Sequence, residues 1–285
     1  MKIILVSTGN FQEYIIDNIK NLQAYGNTDI DVITEKHFFN LLDGLNVGLI
    51  DTEGLNNYNF NICSQLDKSF RNGFWHLCSL RFFYIYSYIE KYNIKNCIHL
   101  ENDVISYVNF NKIEHLFNKK RIYVTFDSET RVIPGIMFIP DLETFTPIIQ
   151  NYNVNLNDMQ NLACFNDNII EYLPIISEIN EKTIYNKNFN HFNCIFDAAA
   201  MGQYLGGIDK RNQDGDTRGF VNETCIIKYN NYSFYWLQEE NNNYAPYVII
   251  NNKLVKILNL HIHSKDLYKF QTKNPLEDKY IKKIL

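Results

Sequence analysis

No two cysteines stand at the spacing of a metal or redox motif. The six of them (Cys63, Cys78, Cys97, Cys164, Cys194 and Cys225) are scattered along 285 residues, so neither a CxxC pair nor a dense disulfide framework is available. Reduced, buried thiols are expected instead. The chain also lacks any uncharged apolar stretch as long as a membrane span, and its opening MKIILVSTGN turns polar at Ser7 after too short an apolar run for a signal peptide. A soluble, cytoplasmic protein without a membrane span is expected. Clustered Lys and Arg are missing too: the densest short runs are residues 118–121 and 278–283, and the formal net charge is −5. Neutralising a nucleic-acid backbone needs a basic surface, so no nucleic-acid partner is expected. Finally, the first strand is not followed by GxGxxG, which argues against a dinucleotide-dependent enzyme.

What is present is an ordinary globular composition, 46% hydrophobic and 21% charged, with a high aromatic share of 15% from 20 Tyr and 20 Phe. The abundance of Asn, Ile, Tyr and Lys matches the bias of an AT-rich coding sequence, and the aromatics are read as core rather than as a stacking surface. Apolar runs at residues 3–6, 30–34 and 47–51 read as strands, with helical spacing at 11–22 and a short helix at 38–45 between them. That alternation predicts a Rossmann-like, mostly parallel central sheet with flanking helices. A long apolar helix over 74–92 precedes a strand over 96–100. Further helices are expected at 112–117, 142–150, 158–170 and 197–204, and further β material at 122–126 and 135–139. The later segments 225–229, 233–237, 248–250 and 254–262 alternate as β-hairpins do. A single domain over 1–270 is expected, with a nucleotide-binding half to residue 110, an acceptor half beyond it, and a tail over 271–285.

Two motifs carry chemistry. Glu101-Asn102-Asp103 follows a buried strand directly, and in open α/β sheets ligands bind outside the carboxyl ends of strands. Paired carboxylates there suit Mg²⁺ or Mn²⁺, which take oxygen ligands and share them with substrate phosphates. A polar strand end with an Asn-Asp turn would look the same. Far along the chain, LNLHIHSKDL places His261 and His263 on one face of a strand, with Lys265 just beyond to neutralise diphosphate oxygens. At the first strand end, Ser7, Thr8, Gly9 and Asn10 are placed to hold a nucleoside, and Thr34 at the second strand end is a candidate for base or ribose.

The segments RFFYIYSYIEKYNIKNCIHLENDV, FDAAAMGQYLGGID and NLHIHSKDL together resemble the GT-A glycosyltransferases, in particular those of chloroviruses and their viral and bacterial relatives. The resemblance runs through nearly the whole chain in order. It implies a GT-A fold with a C-terminal β-hairpin region, a UDP-sugar donor, bound Mn²⁺ or Mg²⁺, and transfer to a hydroxyl of a glycan. Asp103 would ligate the metal directly, and Glu101, where the family has Asp, would hold ribose or a metal-bound water, with Asn102 between them. Arg81 stands where similar galactosyltransferases carry an arginine that contacts donor phosphate or sugar. A buried helix arginine that snorkels to solvent would occupy the same place. His263 is preferred as metal ligand, with His261 behind it. The segment from residue 195 to 212 would line the acceptor side, with Asp197 as general base for an inverting reaction and Asp209 binding sugar hydroxyls. Asp197 is equally placed to cap the helix that follows it.

Two other functions use similar parts. A sugar-nucleotide nucleotidyltransferase would need a Gly-rich basic loop after the first strand, and residues 7–11 contain no Lys or Arg. A catalytically inactive nucleotide- or carbohydrate-binding module would have no reason to keep Asp103, His263 and Lys265 together.

Overall fold

The computed structural model describes residues 1–165, 168–177, 183–209, 232–272 and 281–283. β1 (Lys2–Ser7), α1 (Ile15–Ala24), β2 (Ile30–Thr34) and β3 (Gly48–Asp51) form the opening alternation, with a 3-10 helix, Lys36–Leu42, before β3. Then come α2 (Phe60–Cys63), α3 (Phe74–Tyr92), β4 (Cys97–Leu100), β5 (Val104–Ser106), α4 (Phe110–Ile113), β6 (Ile122–Ser128) and β7 (Arg131–Ile139). α5 (Leu142–Gln150), α6 (Asp158–Ala163), β8 (Ile170–Leu173), α7 (Phe189–Phe192) and α8 (Met201–Tyr204) follow. β9 (Ser233–Gln238), β10 (Tyr244–Ile250), β11 (Lys253–Lys256), β12 (Asn259–His261) and β13 (Ile281–Lys283) come last.

Seven strands make one sheet in the order β3-β2-β1-β4-β7-β6-β8. β1 is parallel to β2 and β4, β2 to β3, and β6 to β8, while β7 runs antiparallel to both β4 and β6. The α/β class, the mostly parallel sheet and the C-terminal antiparallel β region (β11-β10-β9, with β13 beside β9) therefore form as the sequence predicts. The reversal at β7 follows from the connection: Ser128 pairs with Arg131, and so short a link can only join antiparallel strands.

Alternate residues of the strands feed two cores, one on each face of the sheet. Ile4, Ile33, Val124 and Met137 pack with the α3 and α5 side chains Phe82, Ile85, Ile89 and Phe145. Ile3, Leu5, Val32, Ile98 and Leu100 pack with Ile15, Ile19 and Leu22 of α1. A third core around Trp236, Tyr107 and Leu260 lies under the C-terminal sheet. None of the described helices is long and apolar enough to cross a membrane.

Three expectations change. The helix predicted over 158–170 stops at Ala163, because Ile170–Leu173 finds a parallel partner in β6, a tertiary contact that apolar spacing does not carry. The strand predicted over 254–262 breaks in two: β11 pairs with β10, whereas β12 crosses to β5. α8 is a single turn starting at Met201, with Asp197 ahead of it. The strand expected at 225–229 and most of the Gly-rich stretch after residue 209 lie outside the described residues.

Candidate metal centre

The acidic triplet sits where the chain leaves β4, at the carboxyl edge of the sheet. Asn102 is its anchor: its amide donates to Val6 O at 2.8 Å and to Gln12 Oε1 at 2.6 Å, while Asn18 of α1 donates to Asn102 O at 3.1 Å. With the central residue pinned to β1 and α1, Glu101 and Asp103 project past the sheet edge. The short β5 then pairs antiparallel with β12, matching Val104 with His261, and Ile262 N donates to Asp103 O at 2.8 Å. This two-strand ribbon brings residue 261 to residues 101 and 103.

The three side chains offer ligand atoms that all lie within 4.8 Å of one another, the one such group of three or more found among the described residues. His261 Nε2 is 3.1 Å from Glu101 Oε2 and 3.4 Å from Asp103 Oδ1. Its Nδ1 lies 3.0 Å from Ala198 O. A carbonyl only accepts, so Nδ1 carries a proton and Nε2 is turned onto the two carboxylates. That arrangement is repulsive unless a positive charge lies between them. Burial opposes charge on the ring, yet Asp103 and Glu101 together carry the His261 pKa well above its usual value. Burial likewise opposes ionisation of the two acids, but Lys265 and His261 hold Asp103, and Arg81 and His261 hold Glu101, well below the carboxylate range.

The donor set fits a hard divalent cation. Two carboxylates and an imidazole suit Mn²⁺ or Mg²⁺. Adjacent ligands of an octahedral ion with bonds of about 2.1 Å stand about 3.0 Å apart, close to the observed 3.1 and 3.4 Å.

No protein-family model matches the chain, and no curated protein matches it. Among solved structures, an active-site mutant of LgtC is 15% identical, with 61% of this chain and 73% of that chain covered and a TM-score of 0.44. Apo mouse xyloside xylosyltransferase 1 is 10% identical, with 61% and 84% covered and a TM-score of 0.43. The glycosyltransferase GlyE of Streptococcus pneumoniae TIGR4 is 12% identical with a TM-score of 0.40; 60% of this chain is covered and only 45% of GlyE. Likeness at this level assigns no residue a role, and the site is read from its own geometry.

Around the triad stand residues with distinct duties. Lys265 pairs with Asp103 Oδ2, and its ammonium lies 5.6 Å from the Tyr14 ring centroid. Its φ of 66° is left-handed, a conformation costing a non-glycine residue about 1 kcal/mol, which the turn after β12 imposes. Arg81 is buried on α3 between two acids, pairing with Glu101 Oε1 and, at 2.5 Å, with Asp158 Oδ2. It holds one oxygen of Glu101 so that the other faces His261. Asp158, the first residue of α6, was invisible as a site residue in the sequence, where it reads only as a helix start. Burial pushes its pKa up and Arg81 partly counters this. Gly135 and Gly202 are also part of the construction: a Cβ on Gly135 would lie 3.1 Å from His261 Nδ1, and one on Gly202 would lie 2.1 Å from His261 O.

Other predicted residues lie elsewhere. His263 stacks edge-on to His261 with ring centroids 4.5 Å apart and is not one of the three clustered donors. Burial and the positive charges of His261 and Lys265 push its pKa down to about 3, so its ring is neutral. Ser7 and Thr34 are buried, and the Thr34 hydroxyl donates to Ser7 O at 2.6 Å, so Thr34 braces two strand ends. Gly9 N donates to Glu35 Oε1 at 2.8 Å and Asn10 N to Thr8 O at 3.1 Å, closing the β1 loop upon itself.

Asp197 is tied to the main chain. It is buried, and its two oxygens accept from Ala200 N and Met201 N at 2.9 Å, Gly202 N at 2.7 Å and His261 N at 2.9 Å. With four main-chain donors on it, the carboxylate caps the turn of α8 and anchors β12. Asp209, further along the same segment, is largely buried, with Oδ2 3.7 Å from Arg71 Nη1.

Proposed function

We propose that the chain is a divalent-metal-dependent glycosyltransferase that moves a sugar from a UDP-sugar to a hydroxyl of a glycan acceptor. The observation supporting this reading is the convergence of Glu101, Asp103 and Nε2 of His261 at the carboxyl edge of the sheet. These three would hold Mn²⁺, or Mg²⁺ in its place, which when bound draws negative charge off a leaving diphosphate. Lys265 brings a further positive charge to the same edge, and Arg81 keeps Glu101 ionised and aimed. A depression of 510 Å³ lined by Phe11, Glu13, Tyr14, Asp17, Leu41 and Lys265 begins where the Ser7-to-Asn10 loop ends. Its aromatic and aliphatic walls suit the flat face of uracil, and its two carboxylates can accept from ribose hydroxyls.

In the transfer the acceptor oxygen bonds to the anomeric carbon as the bond to the diphosphate breaks, and the acceptor proton must pass to a base. An inverting course needs a carboxylate open to the acceptor. The Asp197 oxygens are taken by main-chain donors and Asp209 is largely buried beside Arg71, so NMR of the product's anomeric proton decides between inversion and retention. A thermal-shift panel tests the reading as a whole. UDP with Mn²⁺ is expected to stabilise the protein more than GDP, ADP or CMP, and Asp103→Ala to abolish the Mn²⁺-dependent part. A larger shift with GDP overturns the choice of base, and an undiminished shift in Asp103→Ala overturns the metal site. Release of pyrophosphate from UTP and a sugar phosphate would establish a nucleotidyltransferase instead.

A further inference from the structure

We infer that the aromatic turn ahead of α3 is the platform on which a saccharide acceptor lies, an inference that rests on the transferase reading above. Arg71, Asn72 and Gly73 are three consecutive left-handed residues, with φ of 45°, 57° and 81°. Two of them carry side chains that disfavour this conformation. The turn they make pushes Phe70 and Phe74 out of the protein, 41% and 39% exposed, when aromatic rings of that size are ordinarily buried. The Phe70 and Trp75 ring planes are 4° apart, with centroids at 6.5 Å, and Phe74 stands edge-on to Trp75 at 4.8 Å. None of the three belongs to the hydrophobic cores of the described residues. They form an aromatic cluster whose Phe70 and Phe74 rings are partly open to solvent and which takes no part in those cores.

The position of the cluster gives it a task. On α3, Phe74, Leu77 and Arg81 fall on one helical face. Arg81 reaches Glu101 of the triad, and Leu77 lies against Gly9, where a Cβ would be 2.9 Å from Leu77 Cδ1. Phe74 continues that stripe outward, about 10 Å along the axis from Arg81 at 1.5 Å per residue, a span of one or two sugar rings. Beside the turn stands Asp209, 3.7 Å from Arg71. Its segment is tied to the triad through Ser264 N, which donates to Gly207 O at 2.8 Å. Exposed aromatic rings next to a carboxylate, one to two ring lengths along α3 from Arg81 and its triad partner Glu101, match a saccharide. The C–H face of a pyranose packs on the rings while its hydroxyls donate to Asp209.

The test uses the wild-type chain and the variants Phe70→Ala, Phe74→Ala, Trp75→Phe and Tyr92→Ala, the last an exposed aromatic at the far end of α3. Donors are UDP-glucose and UDP-galactose with Mn²⁺, and acceptors are lactose, maltotriose and chitotriose. Phe70→Ala and Phe74→Ala are each expected to raise the acceptor KM about fivefold to tenfold without a matching rise in donor KM, and Tyr92→Ala to leave both alone. Saccharide binding should also quench emission from half-buried Trp75, and Trp75→Phe should remove that response, since Trp236 is only 1% exposed. Circular dichroism melts confirm that the variants fold. Acceptor KM values within twofold of wild type in both phenylalanine variants, or donor consumed by water with no saccharide accepted, overturn the platform while the transferase reading stands. Absence of both donor turnover and Mn²⁺-dependent UDP binding in the wild type overturns the reading and the platform with it.

Discussion

Replacing Asp197 by Asn separates a structural carboxylate from a catalytic one. Oδ1 accepts from Ala200 N and Met201 N, and an amide oxygen can keep both bonds. Oδ2 accepts from Gly202 N and His261 N, and there the Asn amide nitrogen would confront two donors. Two bonds to an ionised acceptor are lost, about 3–6 kcal/mol at 1.5–3 kcal/mol each. Removing a buried charge gives part of this back, because burial already pushes the Asp197 pKa up. A net loss of about 2–4 kcal/mol remains, and at about 2 °C per kcal/mol for a chain of this size the melting temperature falls by about 4–8 °C. Since one of the lost bonds holds the main chain of His261, Mn²⁺ affinity should fall in the same variant. Differential scanning fluorimetry and a Mn²⁺ titration measure both. A variant that melts within 1 °C of wild type, binds Mn²⁺ normally and loses transfer by about 10²-fold to 10⁴-fold would refute the capping argument and restore Asp197 as the base.

Three more outcomes follow from the same geometry. Arg81→Met strands Glu101 and Asp158 as buried, unpaired acids and should cost about 3–5 kcal/mol in urea unfolding, with the double variant Arg81→Met/Asp158→Leu recovering part of it; additive losses would show that the pair is not coupled. Gly202→Ala places a methyl 2.1 Å from His261 O and should weaken Mn²⁺ binding by at least tenfold, whereas a titration matching wild type would mean that β12 can shift freely. Iodoacetamide at pH 8 should label exposed Cys63 and Cys164 in the folded protein and spare Cys97 and Cys194, whose thiols burial pushes up to about 12; mass spectrometry showing either buried thiol alkylated before unfolding would contradict their burial.

Local physics carried much of the architecture. The run IDVIT is β2 to the residue, and Phe74–Tyr92 and Leu142–Gln150 are helices with the predicted bounds, because their apolar residues recur at the spacing each element needs. Glu101 and Asp103 could be picked out because a buried strand running into two acids needs no partner to be noticed. What the sequence could not settle was which of the two histidines is their partner. Alternation puts His261 and His263 on one face of an ideal strand, yet β12 ends at His261, and the chain turns through Lys265 at a φ of 66°, so only His261 stays beside the carboxylates. Asp158 and Arg81 are 77 residues apart, and Asp197 and His261 are 64 apart. Contacts over such separations are set by how α6 and α8 pack, not by the few residues around each. A carboxylate ahead of a helix can cap it or serve as a base, and which it does depends on whether main-chain donors or open space meet its oxygens. Around Asp197, the turn of α8 and the β5–β12 pairing bring four donors, and that was decided only by tertiary structure.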